Sequence, residues 1–291
     1  MSCNICPQEC NTDRTNNLGF CQAPNYLKIN TSQLHYGEEP VISGNSGSGT
    51  IFFSHCNMQC CYCQNYKISA LGSGFEISPN EFIDTIYKLK KKGAHNINLV
   101  SPTPYTSVLV PVLEKLKKSG FDLPIVWNSN AYEKVETLKT LEGLVDIYLP
   151  DFRYWNDDVA YSYSNVKNYR ETAQNAIKEM YRQTGNLKIN EDGIAIFGTL
   201  IRLLVLPKNI NNTEQIIQWL YVEFGNDLCL SLMSQYYPAY NAKNYDDLGR
   251  GVAKAEYEFV MHVLLGLGFE NGFIQEPATT PEWTPEFLVS L

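Results

Sequence analysis

No stretch of this chain stays apolar for anything near the roughly 20 residues that a bilayer-spanning helix needs, so no membrane segment is expected. The opening residues, Met-Ser-Cys-Asn-Ile-Cys-Pro, lack a basic region followed by an apolar one, and no export signal is expected. Positive charge is scarce as well. Lysine and arginine number 23 against 31 aspartates and glutamates, a formal net charge of −8, which disfavours a nucleic-acid partner. The lysines that do cluster, Lys88-Leu-Lys-Lys-Lys92 and Lys115-Leu-Lys-Lys118, fall late in predicted helices, where they complement the helix dipole. Hydrophobic residues make up 44%, which excludes a disordered chain, and 291 residues suffice for one large α/β core. Nine cysteines without an export signal argue against a disulfide framework. They point to metal binding in a reducing compartment, the cytoplasm.

Cys56-Asn-Met-Gln-Cys60-Cys61-Tyr62-Cys63 carries the spacing C-x3-C-x2-C directly after the short apolar segment Thr50-Ile51-Phe52-Phe53-Ser54. A cubane [4Fe-4S] cluster has four irons and normally takes four thiolates. Three cysteines in a tight loop hold three of those irons and leave the fourth open to a ligand from outside the chain. Structural zinc is the competing reading, and it needs a fourth protein ligand. His55 adjoins Cys56 and Cys61 lies between two ligands, so neither is well placed to close a tetrahedron. A second C-x2-C pair downstream is missing, and Cys229 sits in an apolar, strand-like run as a buried small hydrophobe would. Coordination arithmetic favours iron and sulfur, with Cys61 outside the ligand set.

A second group, Cys3, Cys6, Cys10 and Cys21, is spaced C-x2-C-x3-C-x10-C and forms a complete four-ligand set. Structural zinc and an auxiliary [4Fe-4S] cluster both fit, and the short closed loops lean slightly toward zinc.

Further along, apolar strand-like runs alternate with helical periodicity. Strands are expected at Thr50–Ser54, Asn96–Val100, Pro124–Trp127, Val145–Leu149, Ile201–Leu206 and Leu228–Met233. Ser78-Pro79-Asn80-Glu81 reads as a capping box opening a helix that Gly93 ends. Helices follow at about Tyr105–Lys118, Glu133–Leu141, Thr213–Phe224 and Gly251–Gly266. Between the fourth and fifth strands lies an excursion, with Asn165–Thr184 helical and Leu187–Phe197 a hairpin turning at Glu191-Asp192-Gly193. Six strands alternating with helices imply βαβ units and a parallel sheet buried on both faces. Periodicity alone does not separate an open doubly wound sheet from a partial barrel.

The cysteine loop, with an aromatic residue before its last cysteine, resembles that of the radical S-adenosylmethionine superfamily. Phe53-Ser54-His55-Cys56-Asn57 and Cys63-Gln64-Asn65-Tyr66-Lys67-Ile68-Ser69 are most similar to pyruvate formate-lyase activating enzymes and their uncharacterised homologues. The resemblance implies a partial (β/α)6 TIM-like barrel at 46–291, preceded by a cysteine-rich metal-binding arm at 1–45. It also implies a [4Fe-4S] cluster on Cys56, Cys60 and Cys63 whose open iron chelates S-adenosylmethionine. One electron, from a reduced flavodoxin- or ferredoxin-like donor, then cleaves the cofactor to a 5′-deoxyadenosyl radical. That radical abstracts hydrogen from a protein glycine, a peptide or a small molecule.

Where the family commonly has Gly-Gly-Glu after the second strand, this chain has Asn98-Leu-Val-Ser101-Pro102-Thr103-Pro104, which makes Ser101 and Thr103 candidates for the cofactor. Asn128-Ser129-Asn130 stands in place of an Asp-Thr-Asn segment, and Asp146-Ile-Tyr-Leu-Pro-Asp151-Phe-Arg153 resembles the Asp-Leu-Lys segment that meets ribose and carboxylate. Arg202 matches a family arginine near the cofactor, and Gln235-Tyr236 falls where activating enzymes carry a histidine. The resemblance thus implies Ser101, Thr103, Asn128, Ser129, Asp151, Arg153, Arg202 and Tyr236 as the cofactor-binding set. An arginine among apolar strand residues also requires an anionic partner. His55, His95 and His262 are expected to be structural. Tyr154, Trp155, Tyr161, Tyr163 and Tyr169 in the excursion are candidates for a substrate or partner surface, although aromatics at such spacings more often pack a core. A reading of a different class, a zinc-binding scaffold that uses both cysteine groups structurally, competes with the enzyme.

Overall fold

The computed structural model describes residues 2–276, so the predicted barrel segment 277–291 lies outside the described residues. Residues 2–26 form an arm of turns and bends. Strand β1 (Leu27–His35) then runs antiparallel to β2 (Ser48–Phe53), with Gln33 opposite Thr50 and Leu34 opposite Gly49. A strap joins the two and carries the short helix α1 (Pro40–Ser43). The cysteine loop follows β2 and leads through α2 (Tyr66–Ser69) to β3 (Phe75–Ile77), which pairs antiparallel with β1.

Regular β/α alternation begins there. The units are α3 (Pro79–Lys91), β4 (Ile97–Val100), α4 (Thr106–Lys118), β5 (Ile125–Ser129), α5 (Val135–Lys139) and β6 (Ile147–Pro150). The excursion contributes α6 (Asp157–Ser164), α7 (Tyr169–Thr184) and β7 (Lys188–Ile189). The chain closes with β8 (Ala195–Leu204), α8 (Thr213–Phe224), β9 (Cys229–Met233), α9 (Lys254–Gly266) and β10 (Gly272–Ile274).

The strands form one sheet in the order β10-β9-β8-β6-β5-β4-β2-β1-β3, with β7 paired to β8. Every neighbour from β2 to β10 is parallel. Among the described residues the two ends of the sheet do not join, so the barrel stays open, as a partial (β/α)6 barrel requires. The six expected strands are β2, β4, β5, β6, β8 and β9. Ser78 accepts from the Glu81 amide while Glu81 reaches back to the Ser78 amide, completing the capping box on α3. Lysines fill the last turns of α3 and α4.

Six elements are additional to the expectation, among them the short α1, α2 and β3. β1 is half-buried along much of its length and lacks an apolar run, β10 has three residues, and α6 is a short helix started by an Asn156 cap rather than by an apolar stripe. The expected hairpin is present, but its second arm and the fifth strand are one continuous β8. Gly198 makes that continuity possible. It has φ +123°, and a Cβ there would sit 2.4 Å from the Leu187 backbone.

The strap seals the barrel floor. Ile42 is fully buried against Val126, Ile147 and Leu200 at the lower ends of β5, β6 and β8. Asn96 donates to the Ile42 carbonyl at 2.7 Å. Among the described residues, no helix is long and apolar enough to cross a membrane.

Candidate active site

The cysteine loop leaves the upper end of β2 and is tied down on four sides. The His55 amide donates to the Ile68 carbonyl, and His55 takes φ +68° to turn the chain. Asn57 is buried and donates to the Tyr132 carbonyl at 2.6 Å. The C-terminus of α6 pairs with the loop, through Gln59 N to Ser164 O at 3.1 Å and Cys61 N to Tyr163 O at 2.8 Å. Gln64 donates to the Gln235 carbonyl at 2.8 Å. Each of the three spaced cysteines meets a polar side chain, and Cys56 also lies 3.8 Å from Asn57 Oδ1. Asn130 Nδ2 lies 3.3 Å from Cys56 Sγ, Ser164 Oγ 2.9 Å from Cys60 Sγ, and Ser69 Oγ 3.1 Å from Cys63 Sγ. Burial, reinforced by the neighbouring Cys60, pushes the Cys56 thiol up to about 12 and the Cys63 thiol up to about 11. Cys61 has no side-chain partner of this kind and is buried away from the set.

Beside the loop the barrel encloses a cavity of about 610 Å³, whose lining includes Tyr62, Cys63, Asn128, Asp151, Arg153, Arg202 and Tyr236. Its centre is an ion network. Asp151 accepts from Arg202 Nε at 2.7 Å and from Arg153 Nη2 at 2.5 Å. Arg202 also donates to Glu38 at 3.0 Å and to Asn128 Oδ1 at 2.6 Å. Burial works against the Arg202 charge, but Asp151 and Glu38 outweigh it and hold its pKa above the ordinary value. Glu38, which Asn98 also contacts at 2.9 Å, is pushed up by burial, with Arg202 pulling the other way. Two residues of the cavity wall each have a buried polar atom without a partner among the described residues, Arg153 at Nε and Glu39 at Oε2. The cavity is therefore built to receive a ligand with polar groups of both signs.

The remaining expected cofactor residues divide by what their side chains already do. Thr103 Oγ1 and Ser129 Oγ each donate to the buried Glu133 carboxylate at 2.8 Å, and Trp127 Nε1 joins them at 3.0 Å. Tyr236 presents its ring to the cavity while its hydroxyl donates to the Leu248 carbonyl at 2.7 Å. Ser101 takes φ +59° at the end of β4, and its amide donates to the Asn128 carbonyl. Sequence reading missed Glu38, Glu39 and His35, which line the cavity, and Glu133, which is buried behind it. The first three come from the strap side of β1, where no motif marks them, and Glu133 is recognisable only once β4 and β5 stand side by side.

The four N-terminal cysteines come together in the arm. The Cys6 thiol lies close enough to those of Cys21, Cys3 and Cys10 to feel their charge, and burial raises it to about 12. Arg14 approaches Cys3 Sγ at 3.9 Å and pins the arm to the Pro104 carbonyl at 2.5 Å. Gln8 donates to the Asn57 carbonyl at 3.1 Å, so the arm packs directly on the cysteine loop. As the side chains stand, no three His, Cys, Asp or Glu groups among the described residues converge on a single-ion position.

The model of the radical SAM superfamily matches residues 50–220, from β2 into α8. An uncharacterised protein of Methanocaldococcus jannaschii is 33% identical over 267 residues, which span 88% of this chain and 72% of that one. The chain belongs to the radical SAM superfamily. Among solved structures, the FeFe-hydrogenase maturase HydG from Carboxydothermus hydrogenoformans matches with a TM-score of 0.51 and 17% identity, over 76% of this chain and 50% of its own. Methylornithine synthase (PylB) matches with a TM-score of 0.51 and 14% identity, over 72% of this chain and 59% of its own. The radical SAM chain thus spans half to three-fifths of these structures, and the likeness is one of fold.

Membership in the superfamily implies a [4Fe-4S] cluster and S-adenosylmethionine. The residues present fit both groups. Three thiols share one loop, each beside a polar side chain that suits a thiolate, and the adjoining cavity is lined by the charged residues Glu38, Glu39, Asp151, Arg153 and Arg202, which suit a charged cofactor or substrate.

Proposed function

We propose that this radical SAM protein reductively cleaves S-adenosylmethionine and uses the product radical to take hydrogen from a substrate bound in the barrel cavity. Cys56, Cys60 and Cys63 hold the cluster, which when bound supplies the single electron. Arg153 receives an anionic group of the cofactor, because its guanidinium lines the cavity together with Cys63. Asp151 keeps both guanidiniums charged and oriented. Arg202 is consumed by Asp151, Glu38 and Asn128, so it shapes the wall through them. Asn128 and the Tyr236 ring complete that wall. Ser101, Thr103 and Ser129 contribute through backbone position, since the Thr103 and Ser129 hydroxyls serve Glu133. Tyr62, beside Cys63, closes the cavity against water.

One observation carries this reading. Cys63 and the Asp151–Arg153–Arg202 network line the same cavity, so a cofactor held at the loop would have those charges beside it. The substrate is a glycine of a partner enzyme, another peptide or a small molecule, and the electron donor is a reduced flavodoxin- or ferredoxin-like protein of the cytoplasm. The arm forms a separate four-thiolate centre of zinc or iron and sulfur.

The test is 5′-deoxyadenosine formation by anaerobically reconstituted protein with a strong reductant. Parent protein and Cys61→Ala should both form it. Cys60→Ala should not, and product at the parental rate from Cys60→Ala would refute the ligand assignment.

A further inference from the structure

At Cys56 the contacting amide of Asn130 is shared with Asn57 and with the Tyr132 backbone, whereas at Cys60 the contact continues into a row of hydroxyls. The Ser164 hydroxyl, 2.9 Å from Cys60 Sγ, lies 2.6 Å from the Tyr154 hydroxyl. That hydroxyl in turn lies 2.5 Å from the Tyr62 hydroxyl. All three residues are buried, and the Arg153 guanidinium stands beside the Tyr62 oxygen. A row of hydroxyls ending on a neutral thiol can run in either direction. A thiolate bound to iron has no proton and only accepts. Ser164 must then donate to Cys60, Tyr154 to Ser164 and Tyr62 to Tyr154. Metal ligation fixes the polarity of the whole row, from the cavity wall to the sulfur.

We infer that Tyr62, Tyr154 and Ser164 form a directed hydrogen-bond chain that raises the reduction potential of the cluster on Cys56, Cys60 and Cys63. The inference rests on the reading of that loop as a [4Fe-4S] site. Reduction adds one negative charge to the cluster, and that charge spreads onto its thiolates. A hydrogen bond to a ligating sulfur stabilises the reduced form more than the oxidised one, and so raises the potential. In a buried site the effect is strengthened, because each hydroxyl polarises the next. Packing accounts for the edge-on rings of Tyr62 and Tyr154 at 6.4 Å, but not for two hydroxyls aligned end to end on a serine. The cavity end of the chain, at Tyr62 and Arg153, also places the cofactor pocket in contact with the same row. These are positioning residues, since only the terminal serine touches a ligand of the cluster.

The experiment is a redox titration of the full-length reconstituted protein, followed by the EPR signal of the reduced cluster. The proteins are parent, Ser164→Ala, Tyr154→Phe and Tyr62→Phe. The midpoint should shift to more negative potential in all three variants, most in Ser164→Ala and least in Tyr62→Phe. Tyr154→Phe keeps its ring against Tyr62 and Tyr169 and loses only the hydroxyl, which separates the hydrogen bond from packing and guards against a misfolded serine variant. A Tyr154→Phe protein with parental iron content and parental potential would overturn the inference and leave the loop assignment standing. Iron loss in that variant, with an unshifted potential in the remaining cluster, would make the hydroxyls structural and overturn it equally. A parent protein that takes up no cluster would remove both the inference and the reading beneath it.

Discussion

Asp151 ties the two arginines of the cavity together, because both guanidiniums share its carboxylate. Removing its charge leaves Arg153 and Arg202 facing each other in a buried site. Breaking such a pair typically costs about 3–5 kcal/mol. Asp151→Asn is therefore expected to lower stability and to weaken S-adenosylmethionine binding about 10-fold or more, roughly 1.4 kcal/mol, while iron content stays at the parental level. Cofactor affinity and iron content measured on the same preparation check this, and unchanged affinity would make Asp151 purely structural. The need for a partner at Arg202 was legible in the sequence, since an arginine inside an apolar strand cannot stand alone. Its second partner, Glu38, was not legible, because it lies on a strap 164 residues away with no pattern to announce it. Thr103 and Ser129 show the converse. Their place at and after strand ends made them candidates for a cofactor contact, yet a buried glutamate between them already takes both hydroxyls.

At the scale of elements, what repeats was readable and what docks once was not. The α3 capping box and the six core strands follow from local pattern and from burial on both faces. The strap and α6 are held by contacts made only in the assembled barrel. Ile42 on α1 plugs the floor with no exposed surface. Ile42→Ala leaves a cavity there and should cost about 2–5 kcal/mol in chemical denaturation, with the spaced cysteines at the opposite end of β2 untouched. An unchanged denaturation midpoint would mean that the floor closes without the strap. The tyrosines of the excursion illustrate the same division. Tyr154, Tyr163 and Tyr169 are core residues, as their spacing suggested, and Tyr161 alone among the tyrosines singled out there is more than half exposed, at 54%. What the spacing did not reveal is that α6 ends on the cysteine loop and brings Ser164 to Cys60.

Across the whole molecule, the two cysteine groups are neighbours in space although they stand apart in sequence. The arm meets the loop through Gln8 and Asn57, and meets the barrel through Thr137, whose hydroxyl donates to the Ile5 carbonyl at 2.6 Å. Cys21→Ala should release the arm's metal and retain the radical cluster, because the two ligand sets share no residue. Metal analysis of that variant checks the separation, and loss of both centres together would tie them into one folding unit. On the proposed function, the cysteine loop and the ion-lined cavity form one site, with an iron left open for S-adenosylmethionine. The most direct measurement of that claim is the EPR spectrum of the reduced, reconstituted protein before and after S-adenosylmethionine is added. The spectrum should change on addition, and the change should require a higher cofactor concentration in Asp151→Asn. A fully loaded cluster whose spectrum is the same with and without the cofactor would contradict the claim.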